Sequence, residues 1–502
     1  MGKQKDHLPV SIVIPCYNYG CFLDDAVGSI HQSTVEIPLA QIIIVNDGST
    51  DQNTLDILNS YRLKGYNIIA QVNKGLPAAR NTGISAAETD YLLPLDADDM
   101  IASTFIEKAF WVLRTRDEIG FVCSWLKHFG DETWVWKPSY SPFRLLFENI
   151  VTVTSLIRKK AWDSVGGYDE NMKWGYEDWD FWLKLVEVNW QGYQIPEILF
   201  YYRRHGKTLL HKSNKNRTNI IRQLRKNHPS LFDEENIAYL KKINRRSYIA
   251  LTLKDIFRDF IINIPFLKTR EIRNFLYNSI ASSTACSKSY VHGGTLAFNE
   301  NAYEIPLYYC KAVRDRRLKI LLLVKLSSSK EYEMLMKLIR VLGDKYYLIV
   351  LFVNLLDDTS YNSITINVDE LFVLPNFLDC TLYSAFLLSQ ILNKEVSLLV
   401  NINLLELHSV LSLIRYHKPD MSTASAFIST TKVDFFNKEI IEKIYFQSDL
   451  LYCSPGCKIN IINLLPECSG KCNISISYEQ FLENLIQLIG LKRPVINMIN
   501  YR

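Results

Sequence analysis

Residues 91–99 are Tyr-Leu-Leu-Pro-Leu-Asp-Ala-Asp-Asp, an apolar run that ends in three carboxylates within four residues. The apolar part predicts a buried strand, so Asp96, Asp98 and Asp99 would lie just beyond its carboxyl end. Carboxylates this close repel each other, and burying them unpaired is costly. A divalent cation with oxygen ligands relieves that repulsion, whereas the alternative is a solvated acidic turn that caps the next helix. The neighbouring segments decide between the two interpretations.

Strand and helix patterns alternate from the start of the chain to this acidic cluster. The predicted elements are strands at 10–15, 41–45, 67–70 and 91–95, with helices at 22–32, 55–61 and 77–87 between them. This alternation favours a mostly parallel α/β sheet. Open sheets of this kind bind ligands beyond the carboxyl ends of their strands. The polar side chains predicted to line that crevice are Tyr17, Asn18, Asp47, Asp96, Asp98 and Asp99.

Four motifs occur in a fixed order in this part of the chain. They are Pro15-x-Tyr17-Asn18, Val45-Asn46-Asp47-Gly48-Ser49-Thr50-Asp51, Gly75-x3-Ala79-Arg80-Asn81-x-Gly83 and Leu95-Asp96-Ala97-Asp98-Asp99. In this order they resemble the motifs of family 2 glycosyltransferases, which have the nucleotide-sugar-binding fold called GT-A. The resemblance covers about Leu8 to His211 and implies a GT-A domain over residues 1–211.

The resemblance implies that the first three motifs bind the nucleotide of the sugar donor. Tyr17, followed by Asn18, would lie against the nucleobase, because an aromatic face suits a flat heterocycle. Asp47 would accept a hydrogen bond from the base and Arg80 would sit beside it, which favours a pyrimidine and hence a UDP-sugar. The alternatives are a packed loop aromatic for Tyr17, a helix N-cap for Asp47 and a surface ion pair for Arg80.

The acidic cluster is assigned by the same resemblance to the ribose and to a metal ion. Asp96 would reach the ribose and support the metal. Asp98 would be the main metal ligand, with Asp99 adjacent. The hard oxygen ligands suit Mn²⁺ or Mg²⁺.

A basic and aromatic segment, Tyr-Tyr-Arg-Arg-His-Gly at 201–206, closes the resemblance. His205 would be a further metal ligand or a diphosphate contact, and Arg203 or Arg204 would clamp a phosphate. A structural histidine is the alternative for His205.

A second acidic pair lies in a helix predicted to begin near residue 177. The sequence Gly166-Gly167-Tyr168 precedes it, and a glycine such as Gly167 allows close backbone approach to a bound ligand. Carboxylates in a first turn favour the helix dipole, so capping is one explanation of Glu177 and Asp178. The resemblance instead implies that the pair supplies the catalytic base, with Asp178 taking the proton of the attacking acceptor hydroxyl. Glu177, like Gly167, would belong to the donor-binding residues. Direct attack would invert the anomeric centre without an enzyme nucleophile.

Two further segments leave alternatives open. The region 119–137 is rich in aromatic residues, which favour either core packing or a platform for a sugar. The stretch 207–226 is basic. It predicts a mobile loop and solvated helix face, a lid over the diphosphate, or a patch for anionic membrane lipids.

The whole-chain composition restricts the class of protein. The chain has 502 residues, 48% hydrophobic and 22% charged, with a net charge of +4, which does not indicate nucleic-acid binding. The polar start predicts no secretory signal, and no uninterrupted apolar run is long enough to predict a spanning helix. Ten cysteines without framework density favour a reduced, cytoplasmic protein, in contact at most with the inner face of a membrane.

The second half of the chain predicts a different unit. Residues 212–314 form a helical and connecting region, and 315–502 again alternate strands and helices, which indicates a Rossmann-like domain. It faintly resembles the first half of a family 4, GT-B type glycosyltransferase. No glycine-rich phosphate loop follows Val324, so we expect no catalysis there. The possible zinc ligands, with plain core or loop cysteines as the alternative, are Cys453, Cys457, Cys468 and Cys472.

These observations lead to one hypothesis and two rivals. The hypothesis is a cytoplasmic inverting glycosyltransferase of polysaccharide or cell-envelope biosynthesis, which moves a sugar from a nucleotide diphosphate sugar to a glycan or lipid-linked acceptor. One rival is a nucleotidyltransferase that makes sugar nucleotides. The other is a glycan- or nucleotide-binding scaffold with a relic site.

Overall fold

The structure is a computed structural model. It describes residues 5–172, 174–206, 213, 216–243, 305–326, 328–404, 421–427, 450–453 and 474–475, with single positions at 411, 414, 417, 418 and 485. The chain divides into two compact units, one of residues 7–289 and one of residues 290–502 together with 1–6. The division into 1–211, 212–314 and 315–502 stays a prediction, and residues 244–304 of its middle part lie outside the described residues.

The first unit alternates strands and helices as predicted, up to the acidic cluster. Its strands are β1 (Val10–Cys16), β2 (Ile42–Asp47), β3 (Asn67–Gln71), β4 (Tyr91–Pro94), β5 (Met100–Ile101), β6 (Ile119–Gly130), β7 (Trp134–Trp136), β8 (Leu156–Arg158) and β9 (Gln191–Arg204). Its helices are α1 (Leu23–His31), α2 (Gln52–Leu63), α3 (Leu76–Ser85), α4 (Phe105–Thr115), α5 (Pro142–Leu145), α6 (Lys159–Val165), α7 (Glu177–Glu187), α8 (Arg217–Asn227) and α9 (Glu234–Ile243).

One mixed sheet organises this unit. Across the described residues its order is β3-β2-β1-β4-β8-β6-β9-β5, and β7 pairs with β6. The first four strands of that order are parallel, whereas β8 runs antiparallel to both β4 and β6. Because the parallel strands end at the same edge, Asp47 at the end of β2 and Asp96 just after β4 lie at that edge.

Helix α3 packs closely against β1 and β2, and Gly83 makes this approach possible. A Cβ atom at Gly83 would lie 2.9 Å from Val45 Cγ2 and closer still to Val13 Cγ1. Both valines are fully buried, so neither has free space into which it can move.

We therefore expect Gly83→Ala to lower the free energy of unfolding by about 1–3 kcal/mol, because the added methyl overpacks the core. Gly28→Ala is the matched control, since Gly28 lies within α1 and nothing lies within 4 Å of its Cβ position. Alanine there should leave stability unchanged or raise it by up to about 1 kcal/mol. Urea unfolding followed by circular dichroism measures both variants, and equal stabilities would contradict the close packing at Gly83.

The segment after β9 packs onto α7. Ile220 and Leu224 of α8 are buried in the same core as α7. His228 lies between two carboxylates of α7, with Nε2 3.1 Å from Asp180 Oδ1 and Nδ1 3.0 Å from Glu187 Oε2. Burial lowers the pKa of His228, but the hydrogen bonds to these carboxylates outweigh it and raise the pKa overall. The C-terminal part of the basic stretch 207–226 therefore contributes to the core of this unit.

The second unit contains a seven-stranded parallel sheet across its described residues. The strand order is β12-β11-β10-β13-β14-β15-β16. The strands are β10 (Lys319–Val324), β11 (Tyr347–Phe352), β12 (Glu370–Val373), β13 (Leu398–Ile402), β14 (Ser422–Phe427), β15 (Leu450–Cys453) and β16 (Ile474–Ser475). The helices are α10 (Ser329–Gly343), α11 (Asp358–Thr365) and α12 (Tyr383–Asn393). The predicted fold class, an α/β domain followed by a second α/β domain, is confirmed.

Two expectations for the second half meet the limits of the described residues. Cys453 ends β15, but Cys457, Cys468 and Cys472 lie outside the described residues, so zinc binding stays a hypothesis. In the part of the chain that the structure describes, no helix has the length and hydropathy needed to cross a membrane.

Candidate active site

The carboxylate of Asp47 is enclosed by donors from its own chain. Its Oδ1 accepts hydrogen bonds from Gln71 Nε2 (2.7 Å) and from the backbone N–H of Lys74 (2.9 Å), and its Oδ2 accepts one from the N–H of Gly75 (2.9 Å). Asp47 therefore shapes the loop that leads into α3. The N-cap of α2 is Asp51, not Asp47. Contact of Asp47 with a nucleobase stays a prediction.

The loop after β1 presents Tyr17 at the surface. The Tyr17 side chain is 45% exposed, which leaves its ring accessible to a ligand. Asn18 has a φ of +56° and accepts hydrogen bonds at Oδ1 from the backbone N–H groups of Thr50 (2.8 Å) and Asp51 (3.0 Å). Asn18 therefore holds the β1 and β2 loops together, and this contact fixes the position of Tyr17.

Two carboxylates of the acidic cluster, those of Asp96 and Asp98, have different partners. Asp96 Oδ1 accepts a hydrogen bond from Arg80 Nη2 at 2.6 Å, and Asp98 Oδ2 lies 2.8 Å from His205 Nε2. Burial and the neighbouring Asp96 carboxylate raise the pKa of Asp98, although the hydrogen bond with His205 opposes this.

The third carboxylate, Asp99, is buried. Its Oδ1 accepts a hydrogen bond from the backbone N–H of Arg203 at 2.8 Å, while its Oδ2 has no hydrogen-bond partner among the described residues. Burial and the carboxylates of Asp98 and Asp96 raise the pKa of Asp99 well above its ordinary value. The cluster therefore carries repulsion that a cation would relieve.

Arg203 uses its side chain within the protein. Its Nε donates to the carbonyl oxygen of Asp98 (2.8 Å), its Nη2 donates to Asp25 Oδ2 (2.6 Å), and its guanidinium lies 4.4 Å from the ring centre of Phe129. The phosphate-clamp role predicted for Arg203 is untested. Arg204, the other candidate, lines the cavity described below.

The donor set of Asp98 and His205 fits a divalent cation. A carboxylate oxygen of Asp98 and an imidazole nitrogen of His205 lie 2.8 Å apart, and both are atom types that bind divalent cations. Among the described residues no group of three or more His, Cys, Asp or Glu side chains is placed to hold a metal ion. Oxygen atoms of a bound diphosphate and water would therefore have to complete the coordination.

Arg80 connects the acidic cluster to the first turn of α7. Its side chain is almost fully buried and forms ion pairs with both Asp96 and Glu177. The predicted alternative of a surface ion pair is therefore wrong. Asp96 lies 16 residues and Glu177 lies 97 residues from Arg80 along the chain. Arg80 therefore joins the edge of the parallel strands to the start of α7.

Asp178 is held in one orientation at the start of α7. Its Oδ1 accepts a hydrogen bond from the backbone N–H of Trp179 (2.8 Å), and its Oδ2 accepts one from Asn149 Nδ2 (3.0 Å). Burial and the adjacent Glu177 carboxylate raise the pKa of Asp178 to about 7. Both a protonated and an ionised form are therefore accessible near neutral pH.

A cavity of about 580 Å³ joins these groups. It brings together five predicted site residues, Asp96, Arg80, Glu177, Asp178 and Arg204. The predicted site residues outside its lining are Tyr17, Asn18, Asp47, Asp98, Asp99, Gly167, Arg203 and His205. The other lining residues are Leu76, Leu126, His128, Trp134, Trp136, Asn149, Val151, Thr152, Val153, Gly175, Tyr176, Phe200, Tyr202 and Ser213.

Gly167 packs against protein atoms. Its φ is +78°, and a Cβ there would lie 2.6 Å from Trp162 Cζ2 and 2.8 Å from Asn81 Oδ1. The glycine is therefore required by internal packing, and its approach to a bound donor stays a prediction.

Sequence reasoning missed Asn149, which supports Asp178 from a segment between α5 and β8. No motif marks this residue, because its partner lies 29 residues away. In the aromatic region 119–137 Phe121 is fully buried, which agrees with core packing. Trp134 and Trp136 line the cavity, and a role as a platform for a sugar stays a prediction for them. The alternation Trp134-Val135-Trp136 was the sequence signal that could have distinguished these two tryptophans from the core residue Phe121.

Two family models match parts of the first unit. The family described as "Glycosyl transferase family 2" matches residues 11–171, and the one described as "N-terminal domain of galactosyltransferase" matches residues 137–208. An uncharacterized glycosyltransferase of Methanocaldococcus jannaschii is 27% identical over 217 residues, which is 40% of this chain and 73% of that protein. The chondroitin synthase of Pasteurella multocida is 29% identical over 190 residues, 36% of this chain but only 19% of that enzyme.

A solved structure gives a weaker comparison. Staphylococcus aureus TarS 1–349 in complex with UDP-GlcNAc aligns with 59% of this chain and 98% of that chain, at 18% identity and a TM-score of 0.38. The family match, rather than this alignment, confirms the resemblance of the four ordered motifs to family 2 glycosyltransferases.

Proposed function

We propose that the first unit, whose residues 11–171 form a family 2 glycosyltransferase domain, moves a sugar from a nucleotide diphosphate sugar to a hydroxyl of a glycan or lipid-linked acceptor. One observation carries this proposal. Asp178, a carboxylate whose pKa is raised to about 7, shares a cavity with Asp96 and Arg80 of the donor-side motifs. A direct displacement requires a general base and a donor-binding site in the same cavity.

The reaction would proceed in a single displacement. Asp178 accepts the proton of the acceptor hydroxyl as its oxygen attacks the anomeric carbon of the donor. The new glycosidic C–O bond forms while the bond between the anomeric carbon and the β-phosphate oxygen breaks, and its electron pair leaves with the nucleoside diphosphate. The anomeric configuration is therefore inverted, and no covalent enzyme intermediate forms.

Several residues would prepare this step without touching the reacting atoms. The hydrogen bonds from Asn149 and from the backbone of Trp179 fix the Asp178 carboxylate. Arg80, which is almost fully buried, forms ion pairs with Glu177 and Asp96 and so compensates their charges. Glu177 in turn raises the pKa of Asp178 into the range where a general base is effective.

We propose Mn²⁺ or Mg²⁺ as the cofactor, held by Asp98 and His205 with Asp96 in support. When bound, the cation supplies charge neutralisation for the departing diphosphate. We propose a UDP-sugar as donor, on the resemblance of the motifs around Tyr17, Asp47 and Arg80.

A donor screen tests the proposal. The full-length protein is incubated with UDP-, GDP- and ADP-sugars in the presence of Mn²⁺, and release of the free nucleoside diphosphate is measured with and without a panel of glycoside acceptors. We expect UDP release that an acceptor stimulates. Failure of every nucleotide diphosphate sugar, or formation of nucleoside triphosphate from a UDP-sugar and pyrophosphate, would contradict transfer and indicate a scaffold or a nucleotidyltransferase, respectively.

The pH dependence follows from the raised pKa of Asp178. A base acts in its ionised form, so we expect kcat/KM to increase with pH through about pH 7 and then to level off. One pH unit below the pKa, about a tenth of Asp178 is ionised, so the rate there should be about a tenth of the plateau. Initial rates between pH 5.5 and 9 at saturating metal measure this profile, and a rate that is flat from pH 5.5 to 8 would contradict it.

The second unit is proposed to be noncatalytic, with acceptor binding, assembly or scaffolding as its role. This proposal rests on the sequence between β10 and α10, Lys325-Leu326-Ser327-Ser328, which is not a glycine-rich phosphate loop. Cytoplasmic location and contact of the stretch 207–226 with a membrane surface likewise stay proposals.

A further inference from the structure

Three neighbouring strands of the first unit present an aromatic face to the cavity. In the order β7-β6-β9, directly opposed residues are Trp134, His128 and Tyr202 in one row, and Trp136, Leu126 and Phe200 in the next. Opposed residues in a sheet share a face, and every second residue along a strand returns to it. All six line the cavity, whereas their neighbours on the other face do not. We call Trp134, Trp136, His128, Phe200 and Tyr202 the aromatic floor.

The rings of the aromatic floor are ordered by contacts with one another. His128 stacks on Trp134 with ring centres 3.9 Å apart and an interplanar angle of 24°, and it meets Tyr202 edge to face at 5.2 Å. Trp134, Trp136 and Tyr202 remain partly exposed, so their surfaces reach the cavity. Flat faces held rigidly beside the base suit the C–H face of a sugar ring, which packs on aromatic surfaces with little loss of side-chain entropy.

The charges of the described lining residues disfavour an anionic acceptor beside Asp178. Among the described lining residues the Lys and Arg side chains are Arg80 and Arg204. Arg80 is paired with Asp96 and Glu177, and Arg204 Nε donates to Glu132 at 3.3 Å. An anionic acceptor placed beside Asp178 would meet the carboxylate of Asp178 and described cations that are already paired within the protein, so it would lose hydration without gaining a partner.

An unpaired acceptor atom also points to a hydroxylated ligand. Asn149 donates its Nδ2 hydrogen to Asp178, which fixes the orientation of the amide. The Oδ1 of Asn149 is then buried and has no hydrogen-bond partner in the described structure. A hydroxyl group next to the one that Asp178 deprotonates would satisfy it, and a sugar carries such neighbouring hydroxyls.

We propose that the aromatic floor is the acceptor site and that its ligand is an uncharged sugar residue of a glycan, rather than a phosphate-bearing polyol or a lipid phosphate. This inference rests on the proposed function, since it assigns the acceptor of the same reaction. The volume of about 580 Å³ lies within the roughly 300–1,000 Å³ range of small-ligand sites and so has room for a sugar ring beside the donor sugar.

The test uses the full chain and the donor identified by the screen. The acceptors are nitrophenyl glycosides of neutral hexoses, a nitrophenyl glucuronide, and ribitol phosphate. Wild-type protein should transfer to a neutral glycoside with a kcat/KM at least about tenfold above that for either anionic acceptor. A preference for ribitol phosphate or for the glucuronide would overturn the proposal, while transfer itself would leave the proposed function intact. Absence of any donor turnover would instead overturn the proposed function and, with it, this inference.

Variants of the aromatic floor add an independent readout. Trp136→Leu keeps an apolar side chain but removes the aromatic face, so the KM for the neutral acceptor should increase about tenfold. The KM for the donor should change much less than the KM for the acceptor, and Trp136→Phe should recover most of the loss. The matched control is Trp125→Leu, on β6 outside the cavity lining, where the Trp125 side chain donates to the Pro138 carbonyl. An unchanged acceptor KM in folded Trp136→Leu, or an equal increase in Trp125→Leu, would overturn the proposal; if either variant fails to fold, the wild-type acceptor preference decides it.

Discussion

Replacing Asp178 with asparagine should lower kcat/KM for sugar transfer by about 10²–10⁴-fold, the usual contribution of a general base. The asparagine side chain has the same shape as the aspartate. It keeps one oxygen that can accept a hydrogen bond, whereas Asp178 uses two oxygens to accept hydrogen bonds from Trp179 and Asn149. What it loses is the ability to take up a proton from the acceptor hydroxyl. Donor binding should persist, because Asp178 is not among the residues expected to contact the nucleotide.

The control for this variant is Asp163→Asn on α6, which removes an exposed carboxylate outside the cavity lining. It should retain wild-type rates. Initial-rate kinetics with thermal melting of each variant separates lost chemistry from lost folding. Near-normal transfer by Asp178→Asn would refute the assignment of the base.

Replacing Asp98 with alanine should abolish the metal dependence of donor binding. Asp98 and His205 form the donor pair that fits a cation, and one ligand alone does not hold Mn²⁺ tightly. Because a Lewis acid stabilises the departing diphosphate by several kcal/mol, we expect kcat/KM to decrease by at least about 100-fold.

Calorimetric titration of UDP in the presence and absence of Mn²⁺ measures the binding part of this prediction. The control is Asp90→Asn, an exposed aspartate at the opposite end of β4, which should behave as wild type. If Asp98→Ala binds UDP with the same Mn²⁺ dependence as the wild-type protein, the metal assignment is wrong.

The strands and the acidic edge of the first unit could be predicted because their signals are local. Runs of β-branched residues such as 42–45 can form only a buried strand here, and every motif residue that follows a strand must lie at the same edge of a parallel sheet. Asp96 and Asp178 were expected in one site from the order of the motifs, and the cavity joins them.

The interior contacts of the site could not be predicted in the same way. Arg80 reaches Glu177 across 97 residues, and Asn149 reaches Asp178 across 29. Such pairs depend on the register of strands and on the entry angle of α7, which no local pattern specifies.

The roles of the residues in the aromatic floor could not be predicted from local sequence patterns either. Composition identified the aromatic residues of 119–137, but their roles depend on which face each occupies. The pairing of His128 with both Trp134 and Tyr202 settles that question for these three residues, and it became visible only in the sheet register.

In the proposed single displacement an acceptor hydroxyl, deprotonated by Asp178, attacks the donor sugar directly. The anomeric configuration of the first-formed product, determined by proton NMR from the coupling constant of the anomeric hydrogen, reports whether this attack takes place. We expect inversion, so an α-linked nucleotide sugar should yield a β-glycoside. A product that retains the α configuration would contradict direct attack and the role of Asp178 with it.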